Sequence, residues 1–254
     1  MDPMPSPTSQ QRLVERQRPP GPVVMYQRWE NLLFLHWKWD VAKVQAALPP
    51  GLWVDEFGGA AWMGVVPLFM RDVRPRFAPS VPAISNFLEL NVRTYVYDAL
   101  GRPGVYFFSL DCDQPIAVEM ARTFFNLRYE HATMDARVDA EGWIDFDAQR
   151  SGHGEKGHFR YRGYGPAGEA YPESFEFFLV ERYRLFATDA DGEQLSTLRI
   201  CHPPYLIRQA QVTEWSDVML RLAGFDPEGR APDHICFSEG VAMEAFAAER
   251  VERT

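Results

Sequence analysis

The sequence predicts an α+β domain built on a mainly antiparallel, curved or barrel-like β-sheet that encloses a cavity, with a few short helices. Many short apolar runs are separated by Gly- and Pro-containing turns, and only three or four segments show helical spacing. At 254 residues and 46% hydrophobic content, the chain can bury one large core. We expect a disordered N-terminal tail over residues 1–24, which are rich in Pro, Ser, Gln and Arg, and a single domain over residues 25–250.

The first half of the domain alternates apolar runs with turns. Asp40 is positioned to cap a short helix over residues 41–48, and Asp113 to cap a second helix with Pro115 in its first turn. The Pro-punctuated segment 71–82 predicts a loop. The predicted strands are 29–39, 53–57, 60–69, 84–97 and 105–111, the second and third joined by a Gly58-Gly59 turn.

The second half begins with closely spaced turn residues over 134–164, which predict a meander of hairpins. Residues 174–189 predict one helical turn that runs into a strand, and an Asp191-Gly192 turn returns the chain antiparallel over 195–202. A helix over 214–224 and a final strand over 234–246 complete the domain.

Charge and composition exclude several partners. The formal net charge of -9 argues against nucleic acid, because phosphate binding requires concentrated positive charge. No run of 18 apolar residues exists, so we expect no membrane partner. The three cysteines are isolated, which favours a reducing, cytoplasmic environment. The sequence contains no standard nucleotide-binding or metal-binding motif and no standard motif for a catalytic nucleophile. We therefore expect a small-molecule ligand or substrate and no cofactor.

One face of the strand 84–97 carries a polar row, Glu89, Asn91 and Arg93. Such a row is most often a solvent-facing stripe of an antiparallel sheet. In a curved sheet the same face can line a cavity instead. Arg93 would then bind a carboxylate, Asn91 would contact the ligand, and Glu89 would serve as general acid or base.

Several separated motifs, in one order, cover nearly the whole chain after residue 25. They are WENLLFLHWKWDVAKVQAALPPGL, NFLELNVRTYV, GVYFFSLDCDQPIAVEMAR, SFEFFLVERYRLF and RICHPPY. In this series the chain resembles the YqjF-like bacterial domain of unknown function (DUF2071), which is placed in the acetoacetate decarboxylase-like superfamily. The resemblance implies a cone-like β-barrel with an internal cavity, and homo-oligomers of the kind that the decarboxylases form.

The resemblance also assigns residues. Glu89 matches the active-site glutamate of the decarboxylases, and Arg122 matches the arginine of their next motif. The Schiff-base lysine is replaced by Tyr129, and the neighbouring lysine that lowers its pKa is replaced by Glu130. Because neither residue can form an imine, acetoacetate decarboxylase activity is not expected.

Lys38 is the remaining candidate amine. It alternates with His36 on the first strand, so it could point inward as a desolvated lysine with a lowered pKa. The alternative is that it extends to solvent, as a lysine at a strand end usually does.

Two functions follow. The first is an enzyme that acts by acid-base chemistry on a small carboxylate or carbonyl compound, of the lyase or isomerase kind. Glu89 would be its acid or base, Arg93 or Arg122 would bind the anion, and Tyr129 would donate to a developing oxyanion. The second is a non-catalytic binding or sensor protein that keeps the cavity. Both require Glu89, Arg93, Arg122 and Tyr129 to converge, whereas an interaction module would expose an apolar patch.

Overall fold

The computed structural model describes residues 6–119, 127, 129–188 and 194–251. Within those ranges the helices are α1 (Ser9–Arg16), α2 (Val41–Ala47), α3 (Pro82–Ser85), α4 (Phe175–Val180) and α5 (Val218–Leu222), and residues 115–119 are helical as well. The strands are β1 (Val23–Trp39), β2 (Leu52–Val54), β3 (Ala61–Pro75), β4 (Phe87–Asp98), β5 (Pro103–Cys112), β6 (Tyr129–Val138), β7 (Ile144–Arg150), β8 (Gly157–Glu169), β9 (Arg184–Thr188), β10 (Leu195–Cys201), β11 (Leu206–Glu214) and β12 (His234–Arg250).

These strands form one sheet in the order β10-β9-β5-β6-β7-β8-β11-β12-β1-β3-β4-β2, with further pairings of β10 with β12 and of β5 with β4. The two further pairings close the sheet twice. One closed circuit runs β5-β9-β10-β12-β1-β3-β4, and the other runs through β6, β7, β8 and β11 instead of β9 and β10. All pairings are antiparallel except those of β5 with β6 and β9. The predicted curved, mainly antiparallel fold is confirmed.

The strands β1, β3 and β4 form a wall that both circuits share, and each face of this wall has its own core. Alternate residues such as Phe34, Val66 and Tyr95 pack with α4 and β10 inside the first circuit. Their neighbours, such as Leu35, Val65 and Val92, pack with β7 and β8 inside the second. Every residue of β4 is therefore buried, whichever way its side chain points.

The N-terminal segment corrects the expected disordered tail. Helix α1 begins with a capping box between Thr8 and Gln11, and it buries two charged side chains against the domain. Arg12 donates to both carboxylate oxygens of Asp55, at 2.5 and 2.7 Å. On the same helix, Glu15 accepts hydrogen bonds from Arg184 at 3.1 and 3.2 Å. Composition alone missed this helix because its partners lie far along the chain.

Several other predicted elements agree with the structure to within a few residues, but β1 begins at Val23 rather than at residue 29, and β11 was not predicted. The hairpin expected around Gly58-Gly59 is wrong, because β2 pairs with β4 rather than with β3. The meander over 134–164 is the antiparallel series β6-β7-β8, and β9 pairs antiparallel with β10 as expected. The predicted loop 71–82 is partly strand, because β3 continues to Pro75, and α3 occupies the predicted start of β4. The Asp191-Gly192 turn lies outside the described residues. No described helix combines the length and the apolar character needed to cross a bilayer.

Asp55 is the best test of the attachment of α1. Its side chain is fully buried, and it accepts from Arg182 (2.7 Å) as well as from Arg12. Replacing it by Asn leaves two guanidinium groups without their counter-charge, so we expect Asp55→Asn to lower the free energy of unfolding by about 3–5 kcal/mol. Urea denaturation measures this. Asp135→Asn removes an exposed pair with Arg137 and should change stability by less than about 0.5 kcal/mol. Equal effects of the two substitutions would contradict the assignment.

Candidate functional site

A cavity of about 70 Å³ lies inside the first circuit, against the shared wall. We call it the inner chamber. Most of its lining is apolar, and its polar side chains come from β1, β4, β6, the segment after α4 and the residue before β11. The polar or charged residues that line it are Gln27, Glu89, Asn91, Arg93, Tyr129, Arg182 and Tyr205.

The polar row of β4 faces this chamber. Glu89, Asn91 and Arg93 are 5%, 5% and 8% exposed, and all three line the cavity. The interpretation as a solvent-facing stripe is excluded, because β4 has a core on both of its faces. The strand period of two places the three side chains on one face, where the backbone spans about 13 Å between Glu89 and Arg93.

Glu89 is held as a buried carboxyl with two hydrogen-bond donors. Tyr129 Oη donates to Glu89 Oε2 at 2.5 Å, and Asn91 Nδ2 donates to Oε1 at 3.4 Å. Burial raises the pKa of Glu89 to about 7, and the two hydrogen bonds oppose this rise only in part. Because the group gains and loses its proton near neutrality, it has the properties of a general acid or base.

Tyr129 stays protonated under all ordinary conditions. Burial and the charge of Glu89 raise the pKa of its hydroxyl well above the usual range. The side chain is therefore a hydrogen-bond donor rather than a base. Its position at the start of β6, where β6 pairs in parallel with β5, brings it across from the polar row.

Three polar atoms of the chamber's lining lack a hydrogen-bond partner within the described part of the chain: Asn91 Oδ1, Arg93 Nε and Arg182 Nη2. The cationic pair comes from different elements, Arg93 from β4 and Arg182 from the turn after α4. Both guanidinium groups lie against the ring of Tyr95, with their Cζ atoms 5.7 and 4.9 Å from its centroid. Unpaired buried N–H groups are costly, and beside a cavity they are suited to donate to an anionic group.

Buried contacts hold both arginines in place. Arg182 donates to Asp55 Oδ2 at 2.7 Å and to the carbonyl oxygen of Phe178 at 2.7 Å. Burial and the charge of Arg12 lower the pKa of Arg182 to about 10, which leaves it charged at neutral pH. Arg93 donates to the carbonyl oxygen of Leu179 at 3.3 Å. Carbonyl oxygens in the last turn of α4 thus contact both cations.

The Tyr95 ring is itself fixed from behind. Its hydroxyl lies 2.8 Å from His36 Nε2, and His36 Nδ1 lies 3.2 Å from His234 Nδ1. Burial, with the neighbouring His234 and Arg93, lowers the pKa of His36 well below its usual value, so the ring is neutral. Gly64 separates His36 from Arg93, and a Cβ atom there would lie 3.3 Å from Arg93 Cγ.

The other predicted site residues do not join this group. Lys38 is exposed at the end of β1, so the inward position is wrong and the alternative, in which it extends to solvent, is correct. Glu130 lies on the opposite face of β6 from Tyr129, near the buried Asp111–Arg150 ion pair. Arg122 lies outside the described residues. Lys43 and Lys156 are also exposed, so all three lysines of the chain are at the surface.

Sequence reasoning missed Arg182 and Asp55 as members of the site. The segment VERYRLF carries charged residues within an apolar run, which signals a buried ion pair but does not identify its partner. The partner of Arg182 is 127 positions away along the chain. No group of three or more His, Cys, Asp or Glu side chains suited to a metal ion occurs among the described residues.

Comparison with known proteins identifies the family of this chain. The DUF2071 family, described as "Uncharacterized conserved protein", matches residues 26–242. The uncharacterized protein YqjF of Bacillus subtilis (strain 168) is 38% identical over 194 residues, 76% of this chain and 78% of that protein.

Two solved structures share the fold. The enduracididine biosynthesis enzyme MppR complexed with pyruvate has a TM-score of 0.62 at 13% identity, with 93% of this chain and 92% of that chain covered. Acetoacetate decarboxylase from Legionella pneumophila has a TM-score of 0.62 at 12% identity, with 94% of each chain covered. At such identities the comparison shows the fold alone, which is acetoacetate decarboxylase-like.

The raised pKa of Glu89 makes stability depend on pH. Between about pH 4.5 and about pH 7 the carboxyl is ionised in the unfolded chain and protonated in the folded one, so the unfolded state binds fewer protons and stability falls as pH rises. The full loss is roughly 3 kcal/mol. Glu89→Gln removes this loss.

Urea denaturation of both proteins across this range is the measurement. We expect Glu89→Gln to match the wild type near pH 4 and to exceed it by roughly 3 kcal/mol near pH 8. Glu239→Gln, at an exposed position, should keep the wild-type pH dependence. A constant difference between Glu89→Gln and the wild type at every pH would show that Glu89 is not desolvated.

Proposed function

The chain belongs to the DUF2071 family. We propose that it is an enzyme whose substrate is a small carboxylate that also carries an oxo group. The enzyme removes and returns a proton on the carbon next to that oxo group, without forming an imine. The observation that carries this proposal is the meeting of a carboxyl with a pKa of about 7, Glu89, and two cationic side chains with unpaired N–H groups in one enclosed chamber. A small-molecule ligand and a cytoplasmic location, both expected from the sequence, are part of this proposal.

The two arginines supply the binding energy for the anion. Arg182 Nη2 and Arg93 Nε each have a hydrogen to donate, and a carboxylate has two oxygens to accept. Because Asp55 and the carbonyl oxygens of Phe178 and Leu179 hold the guanidinium groups, the ligand adapts to them rather than the reverse. Such preorganisation reduces the entropic cost of binding.

Glu89 moves the proton. Its ionised carboxylate takes a proton from the carbon next to the ligand's carbonyl, and the electron pair of that C–H bond forms the C=C bond of an enolate. The carbonyl π electrons move to the oxygen. Returning the proton to another position gives an isomerisation, and expelling a leaving group from the neighbouring carbon gives a dehydration.

Two groups can stabilise the enolate oxygen. The Tyr129 hydroxyl, now donating to Glu89, can turn its hydrogen towards an oxyanion once Glu89 is protonated. The arginine side chains add positive charge in a site with little water. Imine chemistry has no amine available, because all three lysines are exposed.

The fold neighbours guide the choice of test compound. One solved structure holds pyruvate, and another MppR structure holds the condensation product of pyruvate and imidazole 4-carboxaldehyde. Those ligands belong to those proteins. They support the use of 2-oxo acids as probes, since a 2-oxo acid offers both a carboxylate and an acidic C–H bond.

Exchange of ligand protons for solvent deuterium tests the proposal directly. We expect wild-type protein in D₂O to catalyse exchange at the carbon next to the carbonyl of 2-oxobutanoate, followed by NMR. Glu89→Gln should slow exchange by about 10²–10⁴-fold, the usual contribution of a general base. Borohydride added to the reaction should trap no covalent adduct, whereas an adduct on any lysine would overturn the imine-free mechanism.

The alternative function is a binding or sensor protein that keeps the cavity without the chemistry. It predicts that 2-oxo acids raise the melting temperature while no exchange exceeds the rate in buffer. Arg182→Gln should abolish the ligand-dependent stabilisation under both functions, whereas Glu89→Gln should preserve it. Binding without exchange across the 2-oxo acids would reject the enzymatic proposal in favour of the alternative.

A further inference from the structure

A second cavity, of about 290 Å³, adjoins the inner chamber and opens beside α3 and the helical residues 115–119. We call it the outer chamber. It shares five lining residues with the inner chamber: Met25, Gln27, Met70, Leu127 and Tyr129. The two cavities are therefore consecutive compartments, with Tyr129 at their junction.

The chemistry of the two compartments differs sharply. Among the residues that the structure describes, the charged residues that line either cavity, Glu89, Arg93 and Arg182, all belong to the inner chamber. Among the described residues, the outer chamber is lined by apolar side chains apart from Gln27, Ser85 and Tyr129. An apolar compartment continuous with a charged one matches a ligand with a polar head and an apolar tail.

The volumes indicate how such a ligand divides. Liquid water occupies about 30 Å³ per molecule, so the inner chamber has room for a compact polar group and little more. The outer chamber has about four times that volume. The adjoining outer chamber, beyond Tyr129, offers the space for a substituent on the reacting carbon.

The mouth of the outer chamber is also apolar. Val81, Ile84 and Ile116 line the chamber and are 44%, 39% and 50% exposed. Phe77, which precedes the lining residue Ala78 in the sequence, is 92% exposed. Leaving several large apolar side chains together at one opening is unfavourable unless a ligand covers them.

We propose that the ligand is a 2-oxo acid with an unbranched or weakly branched apolar tail of several carbons, rather than a compact acid such as pyruvate. Its carboxylate binds Arg93 and Arg182, the carbon to be deprotonated lies beside Glu89 and Tyr129, and the tail fills the outer chamber. The assignment of the head group rests on the proposed function. The assignment of the tail rests on the outer chamber.

A chain-length series measures the tail's contribution. Dissociation constants are determined by calorimetry for pyruvate, 2-oxobutanoate, 2-oxohexanoate and 2-oxooctanoate. Burial of each methylene group should strengthen binding about fourfold until the chamber is full. Ile84→Asp and, independently, Val81→Asp place a charge in the apolar wall at partly exposed positions, and both should remove most of this gain while leaving pyruvate binding unchanged. Leu100→Asp, at an exposed turn that lines neither chamber, should keep the gain.

The outcomes separate the two proposals. Equal affinity for all the 2-oxo acids, or a chain-length gain that both Asp variants retain, overturns the inference about the tail and leaves the proposed function intact. Butanoate and octanoate, which lack the oxo group, test the tail assignment independently of the proposed chemistry. If octanoate binds more tightly than butanoate through the outer chamber, yet no 2-oxo acid undergoes exchange, the tail assignment holds and the proposed chemistry fails.

Discussion

The structure depends on one constraint: the wall formed by β1, β3 and β4 is buried on both faces. In a two-layer protein, one face of a strand packs on the core and the other faces solvent. Here each face closes a separate circuit of strands, so every side chain of β4 is removed from water. A charged residue on this wall must find a partner or face a cavity. The side chains that face the cavity are those of Glu89, Asn91 and Arg93, and they form the polar part of the site.

Burial also sets the electrostatics of the chamber. Glu89 loses hydration, which favours its protonated form, whereas Arg182 keeps its charge because Asp55 compensates for the same loss. Burial favours the neutral form of both groups, but the arginine, which has a counter-ion, stays charged, whereas the glutamate, which has none, becomes protonated near neutral pH. Since Arg12 binds the same carboxylate from the other side, helix α1 contributes to holding a cation that faces the ligand. The N-terminal segment is thus connected to the site through Asp55, and also through Arg16, which donates to Glu181 next to Arg182.

The sequence predicted what depends on local patterns. Alternation along β4 placed Glu89, Asn91 and Arg93 on one face, and turn residues located most of the hairpins. It could not predict contacts between distant segments, such as Arg182 with Asp55 or His36 with His234. The same limit explains the error for α1, whose composition is typical of disorder but whose charges meet long-range partners. The inward orientation considered for Lys38 is wrong for another reason. Alternation shows which face of the strand a side chain is on, but the length of the buried part of β1 decides whether that face lies inside the domain.

The resemblance to the decarboxylases implies that Tyr129 replaces their Schiff-base lysine, and the proposed function rests in part on that difference. An imine withdraws electrons strongly, and loss of carbon dioxide from a 3-oxo acid uses that electron sink. Tyrosine cannot form one, so in this chamber the electrons must come to rest on the carbonyl oxygen itself. Hydrogen bonds and fixed cations stabilise an enolate, and proton transfer next to a carbonyl requires no more than that. A glutamate with a pKa of about 7 is suited to the same step. A tyrosine at this position therefore agrees with the proposed enolate chemistry.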